Sequence, residues 1–219
     1  MSVSVTVTMG PPQGGLNTEP KNFDEYVRKV CDAYIFKKSL PGVSSEKIGN
    51  IFNKKIIVHI IEKLLKSDIV SSVNILLRLS YDKEFFCKNI LLKYCSNFIE
   101  ISKNDKLTLD TRVNSLLIIS GILYNTEISE QSLCRINAIE NDIIHSILVL
   151  LYNKRVCGNH LRSVFCVILS LSYNCPITCD VLRMNNINNI IKDECINYRC
   201  QYEHIKNLGL MVLYELERK

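Results

Sequence analysis

Beyond residue 20 the apolar positions recur every three to four residues, the period of a helix with one covered face. "NFDEYVRKVCDAYIF" sets Phe23, Tyr26, Val27, Val30 and Tyr34 on one side. "SSEKIGNIFNKKIIVHIIEKLLKS" opens at a capping Ser44 or Ser45 and carries Ile48, Ile51, Phe52, Ile56, Ile60, Ile61 and Leu64 along one stripe. "DIVSSVNILLRLSY" follows from a capping Asp68. The same reasoning predicts helices over 83–92, 95–102, 108–124, 129–137, 140–152, 159–173, 176–185, 187–198 and 201–217. They fall into sets of a short, a medium and a longer helix. The last is nearly all apolar, as a helix covered on both sides must be.

The long helices end alike. "LLRLSYDKE", "GILYNTE", "FCVILSLSYNCP" and, more faintly, "LMVLYELE" place Tyr81, Tyr124, Tyr173 and Tyr214 at spacings of 43, 49 and 41 residues. No period-two alternation runs through them, so a strand reading fails. A repeat near forty residues with three helices per unit is an all-α helical repeat array, in which each Tyr marks the end of a third helix. Pro176 then pre-sets the first turn of the next helix. A core of Ile118, Leu123, Val167, Leu171 and Leu213 is expected. Residues 1–20 hold three of the five prolines and three of the eight glycines and read as a disordered arm, with residues 21–219 as the repeat domain.

From about residue 43 to 217 the chain resembles the armadillo-repeat superfamily of armadillo- and HEAT-like helical solenoids. "RVNSLLIISGILYNTE" and "LRSVFCVILSLSYNCP" carry that resemblance. It implies a right-handed α-solenoid of about four three-helix repeats, whose third helices line a concave groove for an extended peptide or a partner helix. Importin-like members line the groove with Trp and, one turn later, Asn. Aligned on the Tyr motif, the Asn positions are here Arg78, Gly121, Ser170 and Met211, the positions one turn earlier are Asn74, Leu117, Cys166 and Asn207, and the chain has no Trp. Catenin-like members use basic residues, which Arg78 fits in register, with Arg112, Arg162 and Lys206 as rim neighbours. The groove is thus expected to expose Asn74, Arg78, Leu117, Gly121, Ser163, Ser170, Asn207 and Met211. Gly121 and Ser170 would leave shallow pockets, Arg78 would take a carboxylate, and Asn74 or Asn207 peptide backbone. Packing between repeats is the plainer account of Leu117, Cys166 and Met211.

Charge and composition narrow the function. A net charge of +5 over 219 residues lacks the basic stripe of a strong nucleic-acid binder. No apolar run approaches a membrane span, and "MSVSVTVTMG" is not a signal peptide. This predicts a soluble protein of the cytoplasm and leaves the nucleus open. Its ten cysteines mostly sit in apolar helical patterns and read as small buried hydrophobes. Cys175, Cys179, Cys195, Cys200 and His204 are the densest candidate metal set, but their C-x3-C and C-x4-C spacings suit helices better than a zinc site. "CGNH" puts Cys157 near His160, a pair that could activate a thiolate, although Asn159 capping a helix explains it too. His59 and His145 lie in apolar stretches and read as packed side chains. Lys54, Lys55, Lys63 and Lys66 follow one helix as a nucleic-acid patch or a solvated face. The Asn-rich "MNNINNII" marks a helix boundary near Asn185 or Asn186. No phosphate loop, dinucleotide loop or paired catalytic carboxylates occur. The expectation is a non-catalytic adaptor or scaffold, without cofactor or small-molecule substrate, that binds another protein. The rival readings are a nucleic-acid binder acting through the Lys-rich helix 45–66 and a divergent nuclear-transport adaptor.

Overall fold

The computed structural model describes residues 69–80, 88–126, 128–197 and 199–218, together with Glu62 and Lys66. The readings made for residues 1–20, for the helices before residue 62, for the caps at Ser44, Ser45 and Asp68, and for Lys54, Lys55, Lys63 and Tyr81 lie outside these residues. The described helices are α1 (Ile69–Ser80), α2 (Lys88–Lys103), α3 (Leu109–Asn125), α4 (Ile128–Glu140), α5 (Ile143–Tyr152), α6 (Gly158–Ser172), α7 (Pro176–Met184), α8 (Ile187–Ile190) and α9 (Glu203–Glu217). A π-helical turn, Ile191–Ile196, continues α8. No strand occurs among the described residues.

Local chemistry sets most of these boundaries. Thr108 caps α3, its hydroxyl accepting the Thr111 amide at 3.3 Å, and Asp110 lies in the positive first turn. Pro176 occupies the first turn of α7 as anticipated. Asn185 and Asn186 form the turn after α7, with Asn186 in the left-handed region at φ 61°. Two expectations are corrected. The helices foreseen at 83–92 and 95–102 meet in one helix, α2, because no Gly or Pro interrupts "LLKYCSNF" and Tyr94, Cys95, Phe98 and Ile99 are all buried along it. The residue preceding α6 is Cys157 rather than Asn159, and Gly158 turns the chain at φ 52°.

The long helices α1, α3, α6 and α9 pack successively side by side: α1 on α3, α3 on α6, α6 on α9. They run parallel, since contacting positions rise together: Asn74–Asn114 then Ser80–Asn125, Asp110–His160 then Ser120–Cys166, and Phe165–Gly209 then Asn174–Glu215. Asn114 Nδ2 donates to Asn74 Oδ1 at 3.3 Å and Asn125 Nδ2 to the Ser80 carbonyl at 2.7 Å. His160 meets Asp110 at 2.6 Å near the start of the next pair, and the Asn174 amide donates to Glu215 Oε1 at 2.8 Å beyond the end of the last. The shorter helices cover one side, with α2 on α3 and α4, α4 on α5 and α7, and α7 on α9. The turns into α3 and α6 are built alike. Asn104 Oδ1 accepts the Lys106 amide at 3.1 Å, and Asn153 Oδ1 accepts the Arg155 amide at 3.0 Å.

Ile118, Leu123, Val167, Leu171 and Leu213 are buried as expected, joined by Phe98 and Phe165. Each large apolar side chain so covered contributes roughly 1.5–3 kcal/mol relative to exposure. Small residues let the long helices approach. Ser80, Ser102, Ser115 and Ser172 are buried and return their hydroxyls to carbonyls three residues earlier in their own helices, so no donor is stranded. A Cβ on Gly121 would stand 2.4 Å from Ser80 Oγ, and one on Gly209 would stand 2.9 Å from Phe165 Cε2.

Two stability outcomes follow. Gly121→Ala forces α1 and α3 apart, and denaturant unfolding should show a net loss of about 1–2 kcal/mol, overpacking outweighing the better helix former. Adding Ser80→Ala should recover part of that loss. Arg135, buried, donates from Nε to the Ser170 carbonyl at 3.0 Å and from Nη2 to Gln131 Oε1 at 3.0 Å. Arg135→Met should therefore cost about 2–3 kcal/mol in the same assay, against under about 0.5 for the exposed Arg162→Met.

Candidate functional site

The parallel long helices bring the residues seven before each motif Tyr, and in part those three before it, to one face. Asn74 on α1 and Asn207 and Met211 on α9 are exposed there. Leu117 on α3, and Ser163, Cys166 and Ser170 on α6, are half-buried along it. Arg78 falls within α1, and its side chain is not among those described. Asn74 is already engaged by Asn114, and Ser170 turns its hydroxyl back to the Val167 carbonyl at 2.8 Å.

One expected groove residue, Gly121, and one expected rim residue, Arg112, are not placed there. Gly121 is buried against Ser80, so it makes helix contact and leaves no pocket. Arg112 is buried too, its Nε donating to the Ser102 carbonyl at 2.8 Å, so it closes the end of α2 and is no rim cation. Arg162 and Lys206 are exposed. What the sequence reading missed is the motif tyrosines themselves, used only as register marks. Tyr124, Tyr173 and Tyr214 are 77%, 55% and 70% exposed. The signal was present: each lies seven residues, two helical turns, beyond a half-exposed or exposed groove position and so shares its face.

The cysteine and histidine candidates do not converge. Cys175 contacts Thr178 Oγ1 at 3.0 Å, Cys179 donates to the Ser172 carbonyl at 3.3 Å, and Cys195 receives Arg199 Nη2 at 2.7 Å. His204 stacks on Tyr202 at 5.7 Å. Among the described residues no three His, Cys, Asp or Glu side chains are grouped to hold a metal ion. His160 directs its imidazole to Asp110 on α3, and Cys157 beside it is exposed. His145 is exposed rather than packed. Burial, with Cys134 close by, pushes the Cys95 thiol up to about 12, and burial likewise raises Cys166, Cys179 and Cys200.

A cavity of about 450 Å³ lies between the start of α1 and the end of α2, lined by Ile69, Asn97, Glu100, Ile101, Lys103 and Asn104. The cation among its described lining residues is committed, since Lys103 bridges Glu100 at 3.4 Å and Asp142 at 2.8 Å. No described helix is long and apolar enough to cross a membrane. No family model, curated protein or solved structure matches this chain.

The raised thiols give a signed pH dependence. Near neutrality the Cys95 proton is held in both folded and unfolded chains. Above the ordinary thiol value of about 9 the unfolded chain releases it while the folded chain retains it to about 12, so stability falls through that window. Urea midpoints measured from pH 8.5 to 11 should decline, and Cys95→Ala should make the decline shallower.

Proposed function

We propose that the chain is a non-catalytic adaptor or scaffold that binds an extended segment or a helix of another protein along the face of its parallel long helices. The observation that carries this is the register of those helices. Partner residues on neighbours are offset by 40 and 45 positions between α1 and α3, by 50 between α3 and α6, and by 41 beyond α6 and α9. These offsets follow the spacing of the Tyr motif, so equivalent positions of successive units stand side by side. That arrangement, with the paired Asn104 and Asn153 turns, supports a solenoid of about four armadillo-like units. A row of repeated faces is an extended docking surface, on which affinity accumulates over many modest contacts.

The residues offered are uncharged donors, acceptors and apolar side chains: Asn207, Ser163, Leu117 and Met211, with Asn74 beside Asn114. This is chemistry for peptide backbone and apolar side chains, with no convergent nucleophile and base. Ligands selected from a random peptide library should bind the full chain and perturb amide resonances of α3, α6 and α9. Met211→Glu and Asn207→Ala are exposed changes that should weaken such a ligand several-fold at unchanged melting temperature. An oligonucleotide binding tighter than any selected peptide, with affinity falling steeply as salt rises, would replace this reading with the nucleic-acid one.

A further inference from the structure

Resting on that reading, we propose that Tyr124, Tyr173 and Tyr214 form a ledge for an uncharged, proline-rich segment in the polyproline II conformation. Tyr124 and Tyr214 lie in the last turns of α3 and α9 and Tyr173 directly follows α6, and the register of these parallel helices sets the three phenols within about a turn of one level. Tyr124 and Tyr173 are 49 positions apart, within the 46 and 50 of the Ser120–Cys166 and Asp110–His160 contacts between α3 and α6. Tyr173 and Tyr214 are 41 apart, as are Asn174 and Glu215.

Spacing selects the occupant's conformation. Packed helices lie about 8–10 Å apart, so the phenols recur at that interval. A polyproline II helix repeats every three residues, a rise of about 9 Å, and so offers one equivalent residue per Tyr. An extended strand returns a side chain to one side every two residues, roughly 7 Å, and drifts out of step. A partner helix matches at every seventh residue, about 10.5 Å, so spacing alone admits it. Hydrogen bonding separates the two. A helix uses its own carbonyls, whereas polyproline II leaves every carbonyl free to accept a phenol O–H. Among the described residues no group engages the three hydroxyls.

Charge agrees with this occupant. Two ion pairs close in sequence to Tyr173 and Tyr214 are matched internally, Glu215 with Arg218 at 3.9 Å and Asp180 with Arg183. An acidic or basic segment would find no unanswered counter-charge in these pairs, while an uncharged one forfeits nothing. Exposed aromatic faces presented in a row are the surface on which proline rings dock.

The probe is a fluorescein-labelled decaproline, which at about 3.1 Å per residue spans all three phenols. Anisotropy titration of the full chain should show saturable binding. Tyr173→Ala, at the centre, should weaken it about tenfold, and Tyr124→Ala or Tyr214→Ala several-fold. Tyr173→Phe should lose less than Tyr173→Ala, since the ring stays and only the hydroxyl goes. Tyr152, exposed at the end of α5, is the control, and Tyr152→Ala should leave binding unchanged. No saturable decaproline binding, or equal loss in Tyr152→Ala, overturns the proposal. If decaproline fails while library-selected strands or helices still perturb α3, α6 and α9, the ledge falls and the adaptor reading stands. If neither binds, both fall.

Discussion

A stack of short helices must satisfy the carbonyls that each helix leaves unbonded in its last turn. In this chain a side-chain donor meets a carbonyl at the end of every described helix except α8, which runs on into the π-turn. Three ends are served locally: α3 by the Thr126 hydroxyl on Ile122, α4 by Asn141 on Asn137, and α7 by Asn185 on Val181. Five are served from another element: α1 by Asn125, α2 by Arg112, α6 by Arg135, α9 by Arg183 and α5 by Arg199. A guanidinium suits this task, because it carries charge to the negative end of the helix dipole and splits its donors between acceptors. Arg199 shows it, reaching Leu151 at 2.6 Å and Asn153 at 3.2 Å. Each non-local cap also pins two elements in register, so capping and tertiary order are one interaction.

That constraint explains why the long helices can be so apolar and still stop where they do. α6 and α9 carry no basic residue in their last turns, and their ends are closed by Arg135 of α4 and Arg183 of α7. These arginines occupy equivalent places, seven residues after Ile128 and Pro176, the first residues of their helices. The short helices thus supply the polar closure that the long helices lack. With the ends fixed, Ser80, Gly121 and Gly209 can sit at close approaches where a larger side chain would push the helices apart.

Much of this was legible in the residues. Periodicity located α3 to α7 and α9 to within about three residues, and the segment 187–198 holds α8 and the π-turn after it; the Tyr spacing anticipated the offsets between α3, α6 and α9. Burial of Ile118, Val167 and Leu171 followed from the all-apolar character of those segments. The arginines escaped, because hydrophobic patterning records which face is covered and says nothing of where a long polar side chain reaches, here 10 to 48 residues away. A trace existed in "RIN" and "RMN", an Arg-apolar-Asn triplet recurring at 135 and 183. Gly121 was misread for a related reason: an absent side chain looks the same in sequence whether it leaves a pocket or admits a neighbour. Only the Ser80 side chain, standing where a Cβ on residue 121 would have to go, decides it. The same gap split α2, since a polar Lys93 beside Tyr94 reads as a break when the burial of Tyr94 and Cys95 is unseen.

The distribution of charge then bears on recognition. Arg112, Arg135, Arg183 and Arg199 all face carbonyls of the fold, which removes four of the 27 Lys and Arg side chains from any role toward a ligand. On the long-helix face the potential ion pair, Asp110 with His160, is internal as well. Among the described residues the long-helix face offers amide, hydroxyl, thioether and phenol groups, with Arg162 and Lys206 exposed at its rim. A partner recognised by such groups is held by shape, backbone hydrogen bonds and aromatic contact, whose strength changes little with salt. The four arginines that close helix ends are therefore withheld from the proposed binding face, and on that proposal its selectivity rests largely on geometry: the interval between parallel helices and the level at which each one ends.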